Sequence, residues 1–284
     1  MGAYSMEFTK MHGAGNDYVY VKASNISENW AQIAVKISDR HKGIGSDGLI
    51  LAMPSEIADI KMRMFNSDGS EGEMCGNGIR CLVGFAIDQN LIATDQKSVL
   101  VETGAGILTV TPIRTKNEMT GATVSMGLPI LSPSQIPVQI DSDKSPILDH
   151  ELKIGSEQMR LSFVSMGNPH AISFIDDDVD LYPLTEIGPL VETNEIFPNK
   201  INFEIVNVIN RSHLKVRVWE RGSGITQACG TGACAVAVAA KLKGLIDDSC
   251  TISLPGGDLE ISWVDNNEVK MTGPIEKVFS GIWK

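Results

Sequence analysis

The sequence predicts an α+β protein of two homologous, pseudo-symmetric domains, each a mostly antiparallel sheet wrapped around one buried helix. Three observations predict it. Residues 60–80, IKMRMFNSDGSEGEMCGNGIR, are repeated in outline by residues 214–234, LKVRVWERGSGITQACGTGAC. In both, a stretch of alternating polarity passes through a Gly- and Ser-containing loop into Cys-Gly-x-Gly. Each of those units is followed by an apolar, helix-favouring run.

The repeat is specific. One constant offset aligns Lys61 with Lys215, Arg63 with Arg217, Phe65 with Trp219, Cys75-Gly76 with Cys229-Gly230, and Gly78 with Gly232. A near-equal offset aligns Gly15-Asn16 with Gly167-Asn168. The period is too long for a solenoid or propeller and suits two domains of about 140 residues. The expected halves are 1–125, carrying Cys75, and 126–284, carrying Cys229. Their join falls in 113–140, where Gly121, Gly127, Pro129, Pro133 and Pro137 interrupt any long periodic run.

Taken in order, Tyr18–Val21 reads as a strand, 30–40 as a helix and Leu49–Met53 as an apolar strand. Residues 59–66 alternate as a half-buried strand does. Ile79, Cys81, Leu82, Phe85 and Ala86 lie on a helix. Val99–Val110, Leu161–Phe163, Ala171–Ile175 and 213–220 read as strands. The run Ala235-Val236-Ala237-Val238-Ala239-Ala240 is apolar all round, so the helix it begins is buried, and Gly244 is its expected stop. Ile252–Leu254 and Leu259–Val264 complete the pattern. Gly43-Ile44-Gly45-Ser46-Asp47-Gly48 matches the dinucleotide fingerprint in letters only. That motif follows a strand and opens a helix, whereas here a helix precedes and a strand follows.

Composition excludes several classes. Hydrophobic residues make up 43% and charged residues 21% of 284, as in ordinary globular proteins. A net charge of −11 disfavours nucleic acid and anionic membranes as partners, but not a small zwitterion. No apolar run reaches the roughly 20 residues a membrane-spanning helix needs. Met1-Gly2-Ala3-Tyr4-Ser5-Met6 lacks a basic stretch followed by an apolar one, so no secretory signal is read there, and Met6 is an alternative start. Five cysteines, an odd number in a long chain, point to a reducing cytoplasm rather than a disulfide framework.

Cys-Gly-x-Gly ahead of a helix carries chemistry. A helix N-terminus has free N–H groups and a partial positive charge, which stabilise a carboxylate or thiolate. Glycines let a ligand approach those N–H groups. A cysteine there is expected to have a lowered pKa. Two such units in a symmetric pair suit racemisation, which needs a base on one face of an α-carbon and an acid on the other. Cys81, Cys234 and Cys250 fall inside a helix or strand and read as packing residues. The spacings Cys-x5-Cys and Cys-x4-Cys are not those of structural zinc, so no metal is expected.

At Cys75-Gly76-Asn77-Gly78-Ile79-Arg80-Cys81 the sequence resembles the diaminopimelate epimerase family. The likeness extends from Lys10-Met11-His12-Gly13-Ala14-Gly15-Asn16-Asp17 through Arg40-His41, Phe65-Asn66 and Gly167-Asn168-Pro169-His170. It continues in Asn202, Trp219-Glu220-Arg221-Gly222 and Ala228-Cys229-Gly230-Thr231-Gly232. The resemblance implies that Cys75 and Cys229 are the acid–base pair, with Glu220 and His170 supporting catalysis. It implies that Gly76, Asn77, Gly230 and Thr231 bind the α-carboxylate. Asn16, Asn66, Asn168, Asn202, Glu220 and Arg221 would bind the rest of the substrate, Arg221 through a distal carboxylate. The reaction implied is interconversion of LL- and meso-diaminopimelate without pyridoxal phosphate, metal or nicotinamide. A homodimer is expected, although no motif sets the oligomeric state. One departure is Gly48, where some members of the family have Gln. Two alternatives stay open: a relative of the same fold acting on another small acid, such as a proline racemase or a phenazine-pathway isomerase, and a non-catalytic amino-acid binder or thiol-redox protein.

Overall fold

The computed structural model describes residues 5–24, 28–116, 118–141, 144–155 and 157–284. Met1-Gly2-Ala3-Tyr4, on which part of the N-terminal reading rests, lie outside them. The chain divides into two compact units. One holds the chain up to Ser125 together with Thr272–Lys284, and the other is Met126–Met271. Thr272–Lys284, read above with the second half, belongs to the first unit because its last strand pairs with the first strand of the chain.

In the first unit β1 (Met6–Gly13), β2 (Asn16–Lys22), α1 (Trp30–Ser38), β3 (Gly48–Met53), β4 (Ile60–Asn66), β5 (Glu71–Gly72), α2 (Gly76–Asp88), β6 (Val99–Thr103), β7 (Gly106–Thr115) and β8 (Glu118–Ser125) follow in order. The second unit has β9 (His150–Ile154), β10 (Glu157–Ser165), β11 (Pro169–Phe174), α3 (Leu184–Glu192), β12 (Asn202–Asn210) and β13 (His213–Glu220). It continues through β14 (Gly224–Ile225), α4 (Gly230–Leu242), β15 (Ser249–Leu254) and β16 (Gly257–Ser262). β17 (Lys270–Pro274) carries the chain back to the first unit, where β18 (Glu276–Trp283) pairs antiparallel with β1.

The pairing pattern repeats. β1–β2 and β10–β11 are antiparallel, β2–β3 and β11–β12 parallel, and β3–β4 and β12–β13 antiparallel. β4–β6 and β13–β15 are parallel, and β6–β7 and β15–β16 antiparallel. The corresponding partners are Tyr18 with Gly48 and His170 with Asn202. Mixed sheets around a buried helix are therefore the product of one ancestral topology used twice.

Each central helix is buried for a reason visible in its residues. α4 is Ala- and Val-rich on every side, and Gly230 and Gly232–Ala240 are buried. It ends where Gly244 adopts φ 70°, with Gly244 N–H bonded to Lys241 O and Leu245 N–H to Ala240 O. α2 ends the same way on Asn90 at φ 53°. β3 is buried along its whole length, as a strand with a parallel neighbour and both faces covered must be. α1 lays Trp30, Ala34 and Ile37 against Leu49, Leu51 and Phe65. α3 similarly contributes Leu184, Ile187 and Val191 to a core with Phe163, Phe203 and Ile205.

Two expectations change. Val99–Val110 is a hairpin rather than one strand, because Gly106 at φ 112° turns the chain and Thr103 pairs with it. The helix read over 30–40 stops at Ser38, because Asp39 leaves helical geometry at ψ 118° and its carboxylate accepts from the His41 and Lys42 N–H groups.

Candidate active site

In each unit a cysteine is the N-cap of the central helix. Cys75 has φ −134° and ψ 121°, and its sulfur accepts the Gly78 N–H at 3.4 Å. Cys229 has φ −120° and ψ 110°, and its sulfur accepts the Gly232 N–H at 3.4 Å. Extended backbone followed by helix is the geometry of an N-cap, and sulfur takes the place usually held by a Ser or Asp oxygen. The glycines three residues after each cysteine are closely packed. A Cβ on Gly78 would stand 2.5 Å from Ile50 Cδ1, and one on Gly232 would stand 2.7 Å from Glu204 Oε1.

Around Cys75 the contacts form a polar chain. The thiol donates to Asn16 Oδ1 at 3.2 Å, and Asn16 Nδ2 donates to Asp47 Oδ2 at 2.8 Å. Arg40 Nη2 donates both to Asp47 at 2.9 Å and to Asp17 at 2.8 Å, and Lys10 pairs with Asp17 at 2.8 Å. Burial pushes the Asp17 carboxyl up, but hydrogen bonds from Arg40 and Lys10 outweigh it and hold the group below the usual range. Asn77 is buried and its Oδ1 accepts from Arg80 Nη2 at 2.8 Å, so its side chain braces the first turn of α2. Gly76 is buried beside it. Asn66 ends β4 and donates to Ser70 Oγ at 2.9 Å.

Around Cys229 the surroundings are drier and more acidic. Burial, then the nearby Glu220 and Glu204 carboxylates, push the Cys229 thiol well above its ordinary pKa, against hydrogen bonds involving Thr231 and Gly232. The lowered value expected from the helix N-terminus is therefore reversed here, because desolvation of a thiolate outweighs one partial charge. Burial also raises Glu220, against hydrogen bonds from Thr226 and Cys229. His170 is fully buried. Its Nδ1 is 2.7 Å from Glu204 Oε1 and its Nε2 is 3.1 Å from Asn168 Oδ1. Thr231 Oγ1 is 3.5 Å from the Cys229 sulfur, and Gly230 is buried in the first turn.

Asn202 and Arg221 lie one step away. Asn202 Nδ2 donates to Pro169 O at 2.8 Å, and its Oδ1 accepts the Arg221 N–H at 2.9 Å. Arg221 is exposed, and its guanidinium donates to Asn199 O at 3.0 Å rather than to a group around Cys229. Glu192 accepts the Gly222 N–H at 3.1 Å and the Trp219 indole N–H at 2.7 Å, which fixes this loop. Cys81 and Cys234 are fully buried and Cys250 nearly so, and burial lifts the Cys81 and Cys250 thiols to about 12. They are packing residues. Among the described residues no group of three or more His, Cys, Asp or Glu side chains is placed to hold a metal ion.

The family model for diaminopimelate epimerase matches residues 8–131 and 162–278, which include both cysteine units. The chain belongs to the diaminopimelate epimerase family. It is 52% identical over 278 residues to diaminopimelate epimerase of Acetivibrio thermocellus, covering 97% of this chain and 98% of that one. It is 50% identical to the enzyme of the same name from Methanococcus maripaludis, over 97% and 99%. Among solved structures, a hydroxyproline epimerase from Agrobacterium vitis superposes with a TM-score of 0.69 over 99% of this chain and 93% of that one. Its 14% identity marks a shared fold.

The family assignment puts the Gly48 departure in context. A Cβ at Gly48 would stand 2.2 Å from Phe65 O and 3.0 Å from the Tyr18 ring, so this backbone admits no side chain there. Three residues of the site escaped the reading of the sequence: Asp47, Thr226 and Glu204. Glu204 left a signal, a lone carboxylate in the apolar run Phe203-Glu204-Ile205-Val206.

Proposed function

We propose that this chain interconverts LL- and meso-2,6-diaminopimelate by moving the proton of one α-carbon, in the cytoplasm and for lysine and peptidoglycan precursor synthesis. The observation that carries the mechanism is the use of a cysteine as N-cap in both units. One cysteine, as thiolate, takes the α-proton, so the Cα–H bond breaks and an S–H bond forms. The other, as thiol, returns a proton to the opposite face of the carbanion and is left as thiolate. The reverse reaction exchanges the roles. Burial keeps Cys229 protonated, which supports its entry as the acid.

The α-carboxylate takes the N–H groups of Gly76, Asn77, Gly230 and Thr231, where helix N-termini favour an anion and offset the charge of the carbanion. Asn16, Asn66, Asn168 and Asn202 bind the polar remainder. Arg221 pairs with the distal carboxylate and Glu220 with an ammonium group, while His170 supports the acid–base pair. No cofactor takes part in this scheme. Exposed Val278, Phe279 and Ile282 on β18 support a homodimer, which sedimentation at micromolar concentration tests.

The deciding experiment is proton NMR of LL-diaminopimelate with the purified chain in heavy water, with thiol and no added cofactor. The expected result is the meso isomer carrying deuterium at one α-carbon. No exchange under reducing conditions overturns the substrate assignment.

A further inference from the structure

Asn16 and Asn168 are counterparts in the repeat, yet their carboxamides are held with opposite polarity. Asn16 donates its Nδ2 to Asp47, which leaves Oδ1 as the acceptor facing the Cys75 thiol. Asn168 instead turns its Oδ1 to His170 Nε2, and among the described residues no hydrogen bond engages its Nδ2. The group behind His170 is Glu204, which is fully buried, with Oε1 2.7 Å from His170 Nδ1 and no partner for Oε2 among the described residues. Whichever atom of that 2.7 Å contact carries its proton, an Oδ1 acceptor at the other end requires a hydrogen on Nε2.

We propose that Glu204 is a positioning residue that acts through His170 to fix Asn168 as a hydrogen-bond donor. Its carboxylate holds the ring in place, the ring N–H holds the Asn168 carbonyl, and the amide N–H groups point to an incoming carboxylate oxygen. Space for this exists because Gly232 has no side chain. The same strand position in the first unit is Ile50, which lies against Gly78 and has no polar end, so Tyr18 in the His170 position lacks this support. There the orienting carboxylate comes from Asp47 and acts on the opposite end of the amide.

This inference rests on the epimerase reading for its kinetic arm and on the wild-type chain alone for its spectroscopic arm. In Glu204→Leu the ring loses its hold, and KM for diaminopimelate rises about tenfold. Glu204→Gln, which still bonds Nδ1, recovers most of the loss. In an Asn168→Ala background Glu204→Leu adds nothing further, because the effect travels through that amide. A merely structural role would lower the folded fraction and leave KM and this non-additivity unmoved. Nitrogen-15 NMR of the wild-type imidazole, which needs neither substrate nor variant, is expected to show a protonated Nε2 on His170. An unprotonated Nε2, an unchanged KM in Glu204→Leu, or effects that multiply with Asn168→Ala would each overturn the proposal.

Discussion

The N-termini of α2 and α4 share a backbone and differ in what surrounds the sulfur. Both place Cys as N-cap, Gly at the next position and Gly two further on, with the same 3.4 Å N–H···S contact. Cys75 is half-buried and its thiol rests on an asparagine tied to the charged network of Asp47, Arg40, Asp17 and Lys10. Cys229 is 6% exposed and has Glu220 and Glu204 near it, with His170 as the nearby basic group. Duplication thus conserved the helix dipole and the cap, which need only backbone, while the side chains around them diverged. In a two-base epimerase one sulfur holds a proton while the other lacks one, and the two exchange these states between the forward and reverse reactions.

The comparison breaks most sharply at the sulfurs. Cys75→Ala and Cys229→Ala are each expected to lower kcat for epimerisation by at least about a thousandfold, near the larger losses seen when a group needed for proton transfer is removed. Deuterium exchange at the α-carbon, followed separately from net epimerisation, tells the two variants apart. Full activity in either variant would sink the paired mechanism.

Exposure and protonation separate the two thiols next. At pH 7.5 iodoacetamide should modify Cys75 at least about ten times faster than Cys229, because reactivity follows access and thiolate content. Peptide mapping by mass spectrometry reads the ratio. The Cys229 rate should climb only at strongly alkaline pH, as its raised pKa requires.

The glycines sharpen the comparison through packing. Ala in place of a helical Gly normally stabilises by about 1 kcal/mol, but at Gly78 and Gly232 the added methyl collides. Gly78→Ala meets the end of Ile50, and a cost of about 1–3 kcal/mol is expected, reduced when Ile50→Val is added. Gly232→Ala meets the Glu204 carboxylate instead, so its KM should rise as well as its stability fall. Urea denaturation and steady-state kinetics on the same preparations test both.

The smallest effect concerns alkaline stability. The Cys81 thiol in α2 and the Cys250 thiol in β15 are both raised to about 12 by burial. The folded state keeps these protons where the unfolded chain loses them, above about pH 8.5. Stability is therefore lost as pH rises from about 8.5 toward 12, by about 2 kcal/mol per cysteine at pH 10. Cys81→Ala and Cys250→Ala should each flatten the fall between pH 7.5 and 10. Equal slopes in wild type and variants would show that other groups dominate.

Much of this was legible in the chain. The alternation of residues 213–220, the apolar run into α4 and its stop at Gly244 are local patterns, and their physics is local: pleat, helix period and the freedom of glycine at positive φ. The cysteine units were legible for the same reason, since an N-cap and its glycines lie within four residues of one another. The turn of the hairpin within 99–110 left a local signal as well, Gly104-Ala105-Gly106 between two apolar runs.

By itself, then, the sequence determined the duplicated helices, their cysteine caps and the family to which the chain belongs. Only tertiary structure decided that β18 closes on β1, that Glu204 reaches His170 across β12 and β11, and that Cys229 holds its proton. Those outcomes depend on pairings between residues tens to hundreds of positions apart and on water excluded by neighbours. Neither the register of two strands nor the desolvation of a thiol is encoded in any short stretch of chain.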